Sequence, residues 1–237
     1  MERYRYSILY HNYYDEAGID ELRSKIEALD DPGILLLCSL PDKFAGLRPP
    51  QGDSEKFVVA ANVGKDIGGK LILVELLLRL YPDTPYAIFL HDKRSYQKHS
   101  GRWEKDGLFS IVSPEKFRRI GAAFDRDAGM GIACAAGHVR NEYLGSGNFA
   151  TKNSELLTGM MKKYSIGDAD LRFVAGTMFW IRTSLLRDFF SREDALAVRA
   201  TLEAGNVLDQ EQGTMTHCWE RMLSWIALSA GCKLKEF

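Results

Sequence analysis

Short, dense apolar runs alternate along the chain with polar segments that place an apolar residue every three or four positions. The opening stretch YRYSILYHNYY (residues 4–14) is rich in β-formers and predicts a strand. DEAGIDELRSKIEALDD (15–31) follows with Ile19, Leu22, Ile26 and Leu29 at helical spacing, and a Pro-Gly pair ends it. GILLLCSL (33–40) is wholly apolar and of strand length, as expected where both faces of a sheet are covered. A polar connection, LPDKFAGLRPPQGDSEK (40–56), has room for one short helix. Then come strand FVVAA (57–61), loop NVGKDIGG (62–69), helix KLILVELLLRLY (70–81), turn PDTP (82–85) and strand YAIFL (86–90). Strand–helix–strand alternation of this kind implies parallel strands joined by crossovers.

Beyond residue 95 the pattern is looser. SPEKFRRIGAAFDRD (113–127) predicts a helix with Ser113 as cap and Pro114 in the first turn. AGMGIACAA (128–136) reads as a strand, and LRFVAGTMFWIRTSLLRDFF (171–190) as a strand that becomes a helix near Thr183. A long final helix is expected over about 211–228. With no repeats, low-complexity tracts or linker-like segments, the expectation is one α/β domain over 1–237. The regular strand–helix alternation belongs to a first half of about 1–110, and the looser pattern to a second half of about 111–237.

Composition narrows the class. The chain is 46% hydrophobic and 27% charged with a net charge of -1, which argues against bulk-charge binding of nucleic acid. The sequence holds no apolar run of membrane-spanning length and no tripartite leader at its start, so a cytoplasmic protein is expected. Cys38, Cys134, Cys218 and Cys232 are scattered, without metal-ligand or redox spacing, and read as small core residues.

Four stretches offer chemistry. NVGKDIGGK (62–70) puts three glycines between a strand and a helix, where backbone amides can approach an anion; it is neither a Walker loop nor a dinucleotide fingerprint. The plain alternative makes Asp66 a helix cap. HDKRS (91–95) sits at the carboxyl end of the next strand, where open α/β sheets bind ligands. There Lys93 and Arg94 can neutralise phosphates, and His91 or Asp92 can orient a sugar hydroxyl or a metal. In FVAGTMFWIRTS (173–184), Gly176 before Thr177 marks a close backbone approach, while Trp180 is more often core than a sugar platform and Arg182 can reach the surface along its stem. DQEQGTMTHCWERM (209–222) brings His217, Glu220 and Arg221 within one helical turn, as a general base or as ordinary surface charge.

Taken in order, NVGKDIGGKL, FLHDKRS, RWEKDGLF with Trp103, FVAGTMFWIR and GTMTHCWERML resemble the rhamnan synthesis protein F family of bacterial polysaccharide biosynthesis. The resemblance implies a GT-A-like domain that transfers a sugar from a nucleotide-sugar donor to a cell-surface glycan or lipid-linked glycan, with peripheral contact at the inner membrane face. It places Asn62, Gly64, Lys65, Asp66, His91, Lys93, Arg94, Ser95, Gly176, Thr177 and Arg182 on the donor, and Trp103, Trp180 and Arg221 on the acceptor side. His217, Glu220 and Asp92 become catalytic candidates. Where GT-A enzymes carry D-x-D for a divalent metal, this chain has His91-Asp92-Lys93. Metal-independent chemistry is therefore preferred, with Asp92 as the ligand if magnesium or manganese is used. The rival reading is a non-catalytic glycan- or nucleotide-binding subunit. A hydrolase or phosphotransferase using Asp66 or Asp92 as nucleophile is disfavoured, since the first strand does not end on an aspartate with a second two positions on.

Overall fold

The computed structural model describes residues 4–14, 17–44, 46, 52–92, 109–208 and 212–237. Eleven strands and seven α-helices are found among them. The strands are β1 (Tyr6–His11), β2 (Ile34–Pro41), β3 (Glu55–Ala60), β4 (Tyr86–His91), β5 (Met130–Cys134), β6 (Val139–Arg140), β7 (Tyr143–Gly145), β8 (Asn148–Phe149), β9 (Phe173–Val174), β10 (Phe179–Arg182) and β11 (Lys233–Glu236). The helices are α1 (Ala17–Glu27), α2 (Lys65–Leu80), α3 (Pro114–Arg126), α4 (Ser154–Tyr164), α5 (Thr183–Phe190), α6 (Ala195–Ala200) and α7 (Met215–Ser229).

Seven strands form one mostly parallel sheet in the order β11-β5-β10-β4-β1-β2-β3. The β4-β1-β2-β3 half is parallel throughout, β10 runs antiparallel to both β4 and β5, and β11 is parallel to β5. Strands from the two halves of the chain thus pair in one sheet.

The all-apolar runs are explained by burial on both faces. Leu9, Leu35, Leu37, Ala87, Phe89, Phe179 and Ile181 point into one core with the apolar sides of α2, α5 and α7. Their neighbours Ile8, Tyr10, Leu36, Cys38, Ile88, Leu90 and Trp180 point into the other, against α1 and α3. Cys38, Cys134 and Cys218 are buried, and Cys232 is partly covered. Among the described residues, no helix is long and apolar enough to cross a membrane.

Three boundaries differ from expectation. Helix α2 begins at Lys65 and runs through Gly68 and Gly69, the glycines that read as a loop. A Cβ on Gly68 would stand 1.7 Å from the Val63 carbonyl oxygen, and one on Gly69 would stand 2.2 Å from Nδ1 of His11. Close packing, not flexibility, selects these residues. The strand expected after Leu171 is broken between β9 and β10, where Gly176 and Thr177 have φ of 82° and 48°. Helix α7 starts at Met215, where Thr214 accepts the amide of His217 at 3.3 Å, rather than near 211. The strand β11 and the helix α6 are only four and six residues long, too short for a clear pattern, whereas α4, 11 residues long like α1, is a helix the sequence reading did not find.

Candidate functional site

The order β4-β1-β2-β3 reverses direction between β1 and β4. In an open α/β sheet this switch leaves a crevice beyond the strands' carboxyl ends. His11 and His91 are the last residues of the two strands and are partners in the parallel register. From edge strand β3 the chain enters α2 through Gly64 and Lys65, whose φ values of 72° and 52° both lie in the left-handed region. That turn, together with the absence of side chains at 68 and 69, lets the first two turns of α2 settle over the ends of β1 and β2.

Asp66 and Lys70 lie one helical turn apart on the face turned to the crevice. Lys70 is fully buried. Its Nζ is 2.8 Å from Oδ2 of Asp66, 3.0 Å from Nδ1 of His91 and 2.5 Å from Oγ1 of Thr177. Thr177 donates in turn to Oδ2 of Asp66 at 2.8 Å, and Nδ1 of His91 stands 3.5 Å from the same oxygen. Burial alone would raise the Asp66 carboxyl. The charges of Lys70 and His91, with hydrogen bonds from Lys70 and Thr177, outweigh it and hold the group well below the ordinary carboxylate range. Thr177 is β-branched, so its positive φ is a strained conformation, kept in place by these bonds.

A cleft of about 270 Å³ opens over this cluster. His11, Tyr13, Tyr14, Lys65, Asp66, Ile67, His91, Asp92, Gly176, Thr177, Asn206, Thr216, His217 and Glu220 line it. Asp92 turns toward the loop after β1: its two carboxylate oxygens accept the amides of Tyr13 at 2.8 Å and Tyr14 at 2.5 Å, and its own amide donates to the His11 carbonyl at 3.0 Å. It holds the tyrosine pair at the mouth of the cleft. From α7, Nδ1 of His217 is 2.5 Å from Oγ1 of Thr214. Glu220 accepts the Gly176 amide at 2.9 Å and a bond from Arg221 at 2.6 Å.

The expected residues are therefore divided. Lys65, Asp66, His91, Asp92, Gly176, Thr177, His217 and Glu220 share the cleft. Asn62 stands beside it, donating to Oη of Tyr13 at 3.3 Å and to Asn206 at 3.2 Å. Gly64 supports the turn into α2 and lies against Leu202, whose Cδ1 would be 2.2 Å from an added Cβ. Arg221 lies behind the cleft, buried, bonded to Glu142 at 2.8 Å and stacked over Phe173. Two placements need correction. Trp180 is completely buried with its indole N–H on the Ile111 carbonyl, because its position on β10 faces the core with α3. Arg182 pairs in register with Tyr86 at the far end of β4, and its guanidinium caps the carbonyls of Phe124, Asp127 and Met130. Lys93, Arg94, Ser95 and Trp103 lie outside the described residues.

Sequence reasoning missed His11, Lys70 and the Tyr13–Tyr14 pair. Both switch-point strands end on an apolar residue followed by histidine, Tyr10-His11 and Leu90-His91, and that repetition was a usable signal. Among the described residues, no three His, Cys, Asp or Glu side chains gather in a group able to hold a metal ion. No protein-family model matches the chain, and no curated protein matches it.

Proposed function

We propose that the cleft binds a nucleotide sugar and that the protein is a GT-A-like glycosyltransferase transferring that sugar to a cell-surface glycan or lipid-linked glycan. The observation that carries the reading is the Asp66–Lys70–His91–Thr177 cluster at the carboxyl ends of the switch-point strands. Titratable groups that shift one another strongly and face a cleft concentrate at functional sites, and Asp66 is such a group. The order of sequence stretches that resemble the rhamnan synthesis protein F family supports the same choice.

In this reading Tyr13 and Tyr14 offer ring faces to the nucleoside, and Asp66 and Thr177 orient donor hydroxyls. Lys93 and Arg94, which follow Asp92 directly in the chain, meet the pyrophosphate whose negative charge grows as the sugar departs. His217 is the better proton acceptor for the acceptor hydroxyl. The oxygens of Glu220 already receive bonds from Gly176 and Arg221, which suits a residue that orients the turn rather than one that takes a proton.

That occupancy favours a second reading, a glycan- or nucleotide-binding subunit without turnover, since Asp92 is also engaged by backbone amides. Release of free nucleotide from a panel of uridine, guanosine and thymidine diphosphosugars separates the two. The transferase reading expects turnover with at least one donor, reduced about a hundredfold or more in His217→Gln. Binding without release from any donor supports the subunit, and no binding at all contradicts both.

A further inference from the structure

His11 is nine-tenths buried at the end of β1 and lines the cleft, yet its Nε2 has no hydrogen-bond partner among the described residues. Buried side-chain atoms without a partner are uncommon in folded proteins and call for an explanation. Five other residues carry such an atom, Ser7, Asn62, Thr183, Arg199 and Trp219, and none of them lines the cleft.

The ring is held firmly. Its Nδ1 lies 2.8 Å from Oγ of Ser39 on β2, and Gly69 leaves on α2 the space that the imidazole fills. The Tyr13 ring lies roughly parallel to it with centroids 6.3 Å apart. Whichever way the proton lies between His11 and Ser39, the far nitrogen is left as one unused donor or acceptor. Burial, with Lys70 and Arg199 adding to it against the pull of Asp66, holds the imidazole pKa down to about 4. The ring is thus neutral at physiological pH. Among the described residues, Asp66, Asp92 and Glu220 line the same cleft together with Lys65. A neutral imidazole among carboxylates suits an uncharged hydroxyl better than an anionic oxygen.

We infer that His11 is a ligand-contacting residue that hydrogen-bonds, through Nε2, a hydroxyl group of the molecule bound in the cleft. The inference rests on the nucleotide-sugar reading for the identity of that molecule. A side chain kept for binding is one the fold is better off without, and this separates it from a structural histidine.

The test is the double substitution His11→Phe/Ser39→Ala, which removes both members of the internal hydrogen bond and keeps the ring. Melting temperature is measured, along with calorimetric affinity for uridine, guanosine and thymidine diphosphates and their hexose conjugates. The expected result is a melting temperature equal to or above that of the unaltered protein, with affinity about tenfold weaker. Weakening of the conjugates alone places the hydroxyl on the transferred sugar; weakening of both sets places it on the ribose. His11→Gln, which returns an amide near Nε2, should recover part of the loss. Affinity within twofold of the unaltered protein would overturn the inference. So would affinity and melting temperature falling together, since the nitrogen would then be serving the fold. If the unaltered protein binds none of these compounds, the nucleotide-sugar reading fails and takes this inference with it.

Discussion

Nδ1 of His91, at the end of β4, stands 3.5 Å from Oδ2 of Asp66 in the first turn of α2, although edge strand β3 feeds that helix from two strands beyond β1. The crossover of α2 over β2 and β1 produces this meeting, and Lys70 seals it from beneath.

Lys70 has no exposed surface, so removal of its counter-charge leaves an ammonium buried without compensation. Asp66→Asn is expected to lower unfolding stability by about 3 kcal/mol in chemical denaturation. Asp66→Asn/Lys70→Met, which removes both charges, should regain much of that loss. Ligand binding should stay impaired in both variants, because Asp66 faces the cleft.

Stability should depend on pH in two steps. The His11 pKa is about 4 in the folded protein and about 6.5 in the unfolded chain, so the unfolded chain binds the extra proton between those values. This contribution is complete above pH 6.5 and is lost as pH falls toward 4. Asp66, with its pKa depressed by Lys70 and His91 against the opposing effect of burial, adds a further loss below the ordinary carboxylate pKa. Thermal melting across pH 3–8 checks both, and His11→Phe/Ser39→Ala should flatten the upper step alone.

Glycines in helices usually yield stability when replaced by alanine, by about 1 kcal/mol. Gly159 in α4, with open space around its Cβ position, should follow that rule. Gly69→Ala should do the opposite, because its Cβ would stand 2.2 Å from Nδ1 of His11, and a loss of about 1–3 kcal/mol is expected. The comparison of the two denaturation midpoints tests whether close approach of α2 to β1 selects the glycine.

Chelation should matter little. Asp92 already accepts two backbone amides, and its rotation toward a cation would release the Tyr13–Tyr14 turn. Nucleotide release after treatment with EDTA is expected to remain within about twofold of the untreated rate. Complete loss restored by manganese would assign Asp92 a metal-binding role.

Much of the sheet was legible because strands buried on both faces leave unbroken apolar runs: β1, β2 and β4 read directly from YSILYH, ILLLCSLP and YAIFLH. The pairing of Asp66 with the end of β4 was legible too, since strand–helix–strand order brings a helix start and the next strand end to one side of a sheet. Glycine chemistry was not. Gly68 and Gly69 look like a loop until the Val63 carbonyl and the His11 ring are seen against them. Lys70 was hidden for a related reason, as a lysine in a helix normally reaches water and nothing local says that this one is enclosed. Trp180 reads from its residues as core, as found, and only the resemblance puts it on the acceptor side; Arg182 is harder, because only the register with β4 shows which end of the strand it occupies.

The central claim is that a nucleotide sugar sits at the carboxyl ends of β1 and β4. Its most direct test is a nitrogen-15 correlation spectrum of the labelled protein titrated with uridine, guanosine and thymidine diphosphosugars. The account predicts that at least one of them shifts the amides of His11, Tyr13, Asp66, His91 and Gly176 together, with saturation, while β11 and α4 stay still. Shifts confined to another face, or none with any donor, would contradict it.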